Sequence, residues 1–422
     1  MSLALGLVVA RTASADDWTW LSGNPRTKDS KLGNEYFTGE LRVDDVFHYS
    51  LNHPKDDTIN GSTEAWRHGE NQVTQLGIGG DFHVDRAQAR LMTQFGQLST
   101  TTPRNDPSPG RGQWQLDDMY RYLAEAYGGY HFGDPHGGVN VQAGIFMSYI
   151  GLWSAYNFDN WTYQPSFVSS NTPWFFNGAR VQWFPTERLK IEPWLVNGWQ
   201  SYGRFNTLPG IGGQILWRPN ADVSITGNQY FVGEDALGNP DRKRIHTDDS
   251  IQYKWYEDAT GSPITRVATT LTVDVGCEYG GGVTCGSQYF LGFMSYARAW
   301  FGDHYAMTLG GGAMTNPGRY LVLMPSINGA TALSGTPYFT ENPGDKFWGA
   351  DGQLTFDYLP DQYVTFRAEF TYRYASVPYW AGPGGSTPPG GNQGAPGSMV
   401  PGWAPDMVQT EPRFTLALLV KL

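Results

Sequence analysis

The sequence predicts an all-β chain, a transmembrane antiparallel up-and-down β-barrel of about sixteen strands with short periplasmic turns and long extracellular loops. Three observations predict it: a composition rich in aromatics yet poor in charge, period-2 alternation in segment after segment, and connections that alternate between short and long. Aromatics make up 15% and charged residues 16% of the 422 residues, and mean hydropathy is still −0.42. Soluble chains carry roughly 25% charge, and a membrane helix needs about 20 consecutive apolar residues. Strands reconcile the figures because they spread apolar residues singly along one face.

Taken in order, residues 1–15 read as the remnant of an export signal, with an apolar run Leu3–Ala10 and a small-x-small site at Ala13-Ser14-Ala15. Residues 16–34 are expected to form an N-terminal periplasmic segment, and 35–422 the barrel. Alternation marks strands near 35–50, 73–84, 86–97, 119–131, 138–149, 176–185, 187–199 and 210–219. It continues at 222–232, 244–256, 264–275, 286–300, 303–314, 348–358, 361–374 and 411–422. Tight turns near Asp85, Pro185-Thr186, Pro219-Asn220, Gly302-Asp303 and Pro360-Asp361 alternate with long segments such as 51–72, 98–118, 150–175, 315–347 and a Gly/Pro-rich 375–410. A soluble sandwich has no reason to sort its loops in this way.

The strands also show their two faces. From Val364 to Tyr374, Thr365, Arg367, Glu369, Thr371 and Arg373 share one side and apolar residues the other. Unpaired charge is costly to bury, so this face predicts a water-filled interior. Aromatics beside turns, including Trp183, Trp199, Trp217, Tyr230, Trp255, Trp300 and Tyr358, fit interfacial girdles. The last segment puts Phe414, Leu416, Leu418, Val420 and Leu422 on one face, which suits pairing with the first strand and closing the sheet. It resembles the C-terminal signal read by the barrel-assembly machinery, with Leu422 in place of the usual Phe or Trp.

Cys277 and Cys285 flank a Gly-rich stretch and suit a disulfide in an oxidising compartment, free thiols being the alternative. The net charge of −11, without a Lys/Arg cluster, disfavours nucleic acid as a partner. Outer-membrane lipids and small polar solutes are the expected partners. A homotrimer is compatible with the pattern, although no protomer interface is visible.

The motifs Ala143-Gly144-Ile145-Phe146, Asn160-Trp161, Phe175-Phe176-Asn177-Gly178-Ala179-Arg180-Val181 and Trp194-Leu195-Val196-Asn197-Gly198-Trp199 occur in an order that resembles the OmpL-like family of β-barrel porins. The resemblance covers about 60 residues, and implies a pore in the bacterial outer membrane. In general porins of this strand number the third loop folds inward as a constriction. Here that loop, 150–175, carries Trp153, Tyr156, Asp159, Trp161 and Tyr163, and folding outward over the rim is the alternative. The candidate pore-lining charges are Arg42, Arg90, Arg121, Arg180, Lys190, Arg367 and Arg373, with Glu40, Asp44, Glu125, Glu192, Asp351 and Glu369. Segregated, they would set a field across the pore; interspersed, they would neutralise one another.

Catalytic and metal motifs are absent: there is no GxSxG, HExxH or EF-hand spacing, so no enzyme, cofactor or metal is expected. Gly310-Gly311-Gly312 marks a bend or a place where a loop crosses the wall closely. The expected function is passive diffusion of small polar solutes or ions. The alternative is a structural barrel sheathing a partner such as a multihaem cytochrome, whose haem the partner would bring, because the chain has no CxxCH.

Overall fold

A computed structural model describes residues 16–134, 137–233, 241–258, 260–318, 323–338 and 346–422, and among them sixteen antiparallel strands close into one barrel. The expected export signal, residues 1–15, lies outside the described residues. The first half of the wall is β1 (Phe37–Ser50), β2 (Asn71–Val84), β3 (Ala87–Thr93), β4 (Leu123–Phe132), β5 (Val139–Met147), β6 (Phe175–Thr186), β7 (Leu189–Val196) and β8 (Gly210–Asn220). The second half is β9 (Val223–Val232), β10 (Lys243–Glu257), β11 (Arg266–Tyr279), β12 (Tyr289–Phe301), β13 (Tyr305–Asn316), β14 (Phe347–Tyr358), β15 (Val364–Ala375) and β18 (Thr410–Lys421). Between the last two, β16 (Trp380–Ala381) and β17 (Met407–Val408) form a separate small ladder. Each wall strand pairs with its neighbour in sequence, and β18 joins β15 to β1 with Val43 opposite Val420 and Ser50 opposite Arg413. Closure leaves no edge strand, which a bilayer requires of any sheet that spans it.

Alternation sets the faces. On β13 Leu309 is 64% exposed on the outer surface while Thr308 beside it is wholly buried inside. Leu354, Phe356, Phe366, Tyr372, Phe414 and Leu416 continue the apolar outer band. Among the described residues no helix is long and apolar enough to cross a membrane. Asp85 and Gly302 take positive φ, 52° and 62°, at tight turns at one end of the barrel.

Several expectations are corrected. The strand expected over 86–97 stops at Thr93, where the register shifts against β4; Gly96 then turns at φ 103° and the chain enters the short helix α1 (Leu98–Thr101). The strand expected from 119 starts at Leu123, because α2 (Leu116–Tyr120) takes the preceding residues. Trp199 and Tyr230 are buried in an aromatic cluster with Phe176, and Trp300 turns inward against Trp161, so these three leave the girdle. Their partners come from distant strands and loops, which alternation cannot reveal. The Gly/Pro-rich loop is pinned at several points. Asn328 donates to the carbonyls of Gln393 and Ser398, and Asp56 accepts from Ser386. The expected disulfide between Cys277 and Cys285, by contrast, is formed.

Because Leu309 sits on the lipid face of a central strand segment, Leu309→Arg is expected to lower unfolding free energy by about 2–4 kcal/mol in reversible denaturation from lipid vesicles. An unchanged stability would contradict the facing assigned here.

Candidate functional site

The lumen is organised by the connection between β5 and β6, residues 148–174, which folds inside the barrel. It has almost no regular structure, only 3-10 turns at Asn157–Asp159 and Ser169–Asn171. A buried irregular backbone needs partners for its N–H and C=O groups. The wall supplies them. Glu369 accepts from the backbone N–H of Tyr163 at 2.7 Å and of Gln164 at 3.1 Å, and Asp351 accepts from Phe167 N–H and the Ser166 hydroxyl. The Arg367 guanidinium donates to the carbonyls of Asn157, Asn160 and Thr162, Arg298 to that of Trp161, and Arg373 to that of Pro165.

Side chains complete the anchorage. Asp159 pairs with Arg42 at 3.2 Å, and the same guanidinium lies 3.9 Å from the centre of the Tyr156 ring. Tyr156 donates to Glu125 at 2.7 Å; Asn157 and Tyr163 both donate to Asp44. Burial, with Glu125 beside it, pushes the Tyr156 phenol well above its ordinary value, and burial with Asp44 does the same to Tyr163. Both hydroxyls therefore remain donors. Gly312 lets the loop pass close to the wall, since a Cβ there would meet Ser166 Oγ at 2.5 Å. That is the close crossing expected of the triple glycine.

A second element enters from the short-turn end. Residues 16–29, part of the segment 16–34 expected in the periplasm, cross this mouth from the β8–β9 turn to the β14–β15 turn. Trp20 Nε1 donates to the Ala221 carbonyl, Ser22 exchanges two hydrogen bonds with Gln252, and Arg26 donates to the Asp361 and Val364 carbonyls. Gly23 N–H donates to the Asp159 carbonyl, and Trp161 Nε1 to that of Trp20, so segment and loop hold each other. Trp20 is wholly buried. An apolar indole next to Leu21 gains more from this aromatic interior than from water.

The sequence-selected charges are therefore distributed differently from a wet ladder. Arg90 pairs with Glu125 at 2.8 Å and with Glu40 at 3.2 Å, Arg180 with Glu192 at 3.3 Å, and Arg373 with Asp351 at 3.7 Å. Acids and bases alternate as direct partners, so they neutralise one another rather than segregate. Most are buried under the loop, and the expectation that inner charges face open water does not hold for them. Arg121 is not on the wall; it lies between α2 and β4 and donates to the Ser99 carbonyl and Asp118. Asp357, held between Arg298 and Arg367, was visible by parity, but its role as their shared carboxylate appears only in three dimensions.

The loop leans on β1, β12–β15 and β18, and the opposite side of the lumen stays partly open. There a cavity of about 270 Å³ lies between the loop and β5–β10. Of the selected residues only Lys190 and Trp153 border it. Arg218, Gln214, Ser224, Thr226 and Gln252, which the selection missed, line its wall. The signal for Arg218 was its parity with Gln214, opposite the outward Ile215 and Trp217. Tyr149 crosses the wall at Gly212, where a Cβ would meet its hydroxyl at 2.0 Å. Among the described residues no group of three or more His, Cys, Asp or Glu is placed to hold a metal.

Arg367→Met should free the loop while Arg298 keeps Asp357 paired. Removing one partner of a buried pair costs about 3–5 kcal/mol, and the shared carboxylate places this variant near the lower figure. Proteolysis of folded protein should then cut within residues 150–165, where the native chain resists; equal resistance would show that the loop is held by other contacts.

The fold is shared with solved outer-membrane proteins. OprB of Pseudomonas putida, in its high-pH structure, aligns at a TM-score of 0.52 and 10% identity over 92% of this chain and 94% of its own. The outer membrane channel DcaP of Acinetobacter baumannii aligns at 0.51 and 12% identity over 95% of this chain and all of its own. At such identities the likeness is one of fold. No curated protein sequence matches the chain. The family model described as "Putative beta-barrel porin-2, OmpL-like" matches residues 36–404, nearly the whole barrel, and the chain therefore belongs to this family of bacterial outer-membrane porins.

Proposed function

We propose that the protein is a passive channel through which small polar solutes or ions cross the outer membrane, along the narrow passage between loop 148–174 and the β5–β10 wall. The observation that carries this reading is the one-sided cavity. A loop that filled the lumen evenly would leave no passage, whereas most charged anchors of this one lie on β1, β12–β15 and β18, and a cavity remains beside β7–β10. The polar lining favours hydrated solutes. No catalytic role is proposed. The sheath alternative loses support, since the loop and the N-terminal segment already occupy the space that a threaded cytochrome would need. The constriction role belongs to both elements, and recognition of β18 by the barrel-assembly machinery remains part of the proposal.

Self-association is supported by Asp249 on the outer face. Asp249 is exposed on the outer side of β10, beside the outward Ile251, with Thr247 donating to it at 2.8 Å. Asp45 also faces outward, where Asn71 donates to both of its oxygens. A carboxylate facing lipid is unfavourable, and a second copy seated on β9–β10 would remove Asp249 from the lipid.

In planar bilayers the folded chain is expected to give stepwise conductance, and a correctly folded barrel with none would overturn the channel reading. Deleting residues 16–24 should raise single-channel conductance at least about twofold by opening the short-turn mouth; an unchanged value would place the narrowest point elsewhere. Asp249→Leu should shift detergent-purified protein from oligomer to monomer on native gels, and a wild type that is already monomeric in lipid nanodiscs would rule out this interface.

A further inference from the structure

The cavity beside loop 148–174 carries an excess of positive charge. Among the described residues its lining includes Lys190 and Arg218 and no carboxylate. Lys190 Nζ lies 2.5 Å from Glu192, but that carboxylate also serves Arg180 at 3.3 Å, so one negative charge answers two positive ones. Arg218 has less. Its guanidinium sits 4.8 Å from the centre of the Trp18 ring, its Nε is buried without an acceptor, and no carboxylate among the described residues lies within 4.0 Å. By contrast Arg42, Arg90, Arg298, Arg367, Arg373 and Arg413 on the inner wall all have carboxylate partners. Among the described residues, the inner-wall arginine that borders open space is left without an anion.

A partly desolvated cation without a partner raises the local concentration of anions, and a guanidinium presents a planar fork that matches a carboxylate. The rest of the lining suits the remainder of a small solute. Ser224 and Thr226 offer hydroxyls, Gln214 and Gln252 offer amides, and Trp153 and Trp174 offer apolar faces. At about 270 Å³ the space falls just below the roughly 300–1,000 Å³ of drug-sized pockets, which limits the occupant to a small molecule.

We infer that this cavity is a binding site for small hydroxylated carboxylates, with Arg218 as the anchor for the carboxylate, Lys190 as a second positive charge, and the Ser224–Thr226 side as the surface for the hydroxyls. The inference rests on the channel reading and deepens it: solutes of this class would be concentrated in the passage before they leave it. Trp18 has a part as well, because the N-terminal segment supplies the ring beneath the guanidinium and so orders the anchor.

The test uses the full chain folded in detergent and titrated calorimetrically with sodium gluconate and with glucose, its neutral counterpart. Gluconate is expected to bind at least about tenfold more tightly than glucose, a preference that converts to roughly 1.4 kcal/mol. Arg218→Gln should abolish the preference and leave the weak glucose binding in place. Arg218→Lys, which keeps the charge but not the fork, should retain part of it. Lys190→Gln supplies an independent variant should Arg218→Gln fail the heat-modifiability check for a folded barrel, and it is expected to weaken gluconate binding by a smaller factor. In bilayers under a potassium chloride gradient, the reversal potential should show chloride preference in the native chain and less of it in Arg218→Gln. Equal affinity for the two probes, or an Arg218→Gln variant that keeps the preference, overturns the inference even if conductance is normal. Selective gluconate binding by a barrel that never conducts overturns the channel reading and leaves the site standing.

Discussion

The structure depends on satisfying the backbone of an irregular loop buried inside a barrel. Residues 148–174 carry exposed peptide groups into an interior that offers no helix or sheet ladder for them. Each unpaired group would cost about 1–3 kcal/mol. The inner wall answers with charged side chains of matched polarity: carboxylates such as Glu369 and Asp351 face N–H groups, and guanidiniums such as Arg367 and Arg373 face carbonyls. Arg367 is itself paired with Asp357 and Arg373 with Asp351, while Glu369 also accepts from the Thr355 and Thr371 hydroxyls. The charge of the wall is thus first a means of holding a loop.

In the proposed channel that arrangement sets where solutes would pass. Anchoring acids and bases are concentrated on β1, β12–β15 and β18, and the loop is drawn to that side. Where β7–β10 face the cavity they carry Lys190, Gln214, Arg218, Ser224, Thr226 and Gln252, and no carboxylate. The N-terminal segment then braces the loop from the short-turn end through Trp161 and Gly23. Arg104 joins two loops at the other end by donating to the carbonyls of Ala330, Met324 and Pro325. Selectivity in such a channel comes from the few groups left bordering the cavity rather than from the total charge of the lumen.

Much of this was legible in the sequence, and the reason is local. A strand side chain points in or out according to its position alone, so Arg367 could be placed on the inner face beside Thr365 and Glu369 without any knowledge of its partners. The same rule located β13, β14, β15 and β18 to within a few residues, and the turn residues Asp85 and Gly302 marked where the chain reverses. It failed at Thr93 and Leu123, where short helices interrupt the strands, and at Trp199, Tyr230 and Trp300, whose faces are fixed by contacts across the lumen.

The sequence by itself determined the barrel, its approximate strand number and the two faces of its wall, with Arg121 wrongly placed inside and Arg218 missed, because these follow from period-2 alternation and from the bilayer's demand for a closed sheet. Tertiary structure alone decided that the loop folds inward, that residues 16–29 cross the mouth, and that Arg218 is left without an anion while Arg367 is not. These depend on pairings such as Arg367 with Asn160, and Ser22 with Gln252, between residues far apart in the chain. Such pairings leave no periodic trace in sequence, since the strength of each contact is set by distance and burial after the barrel has closed.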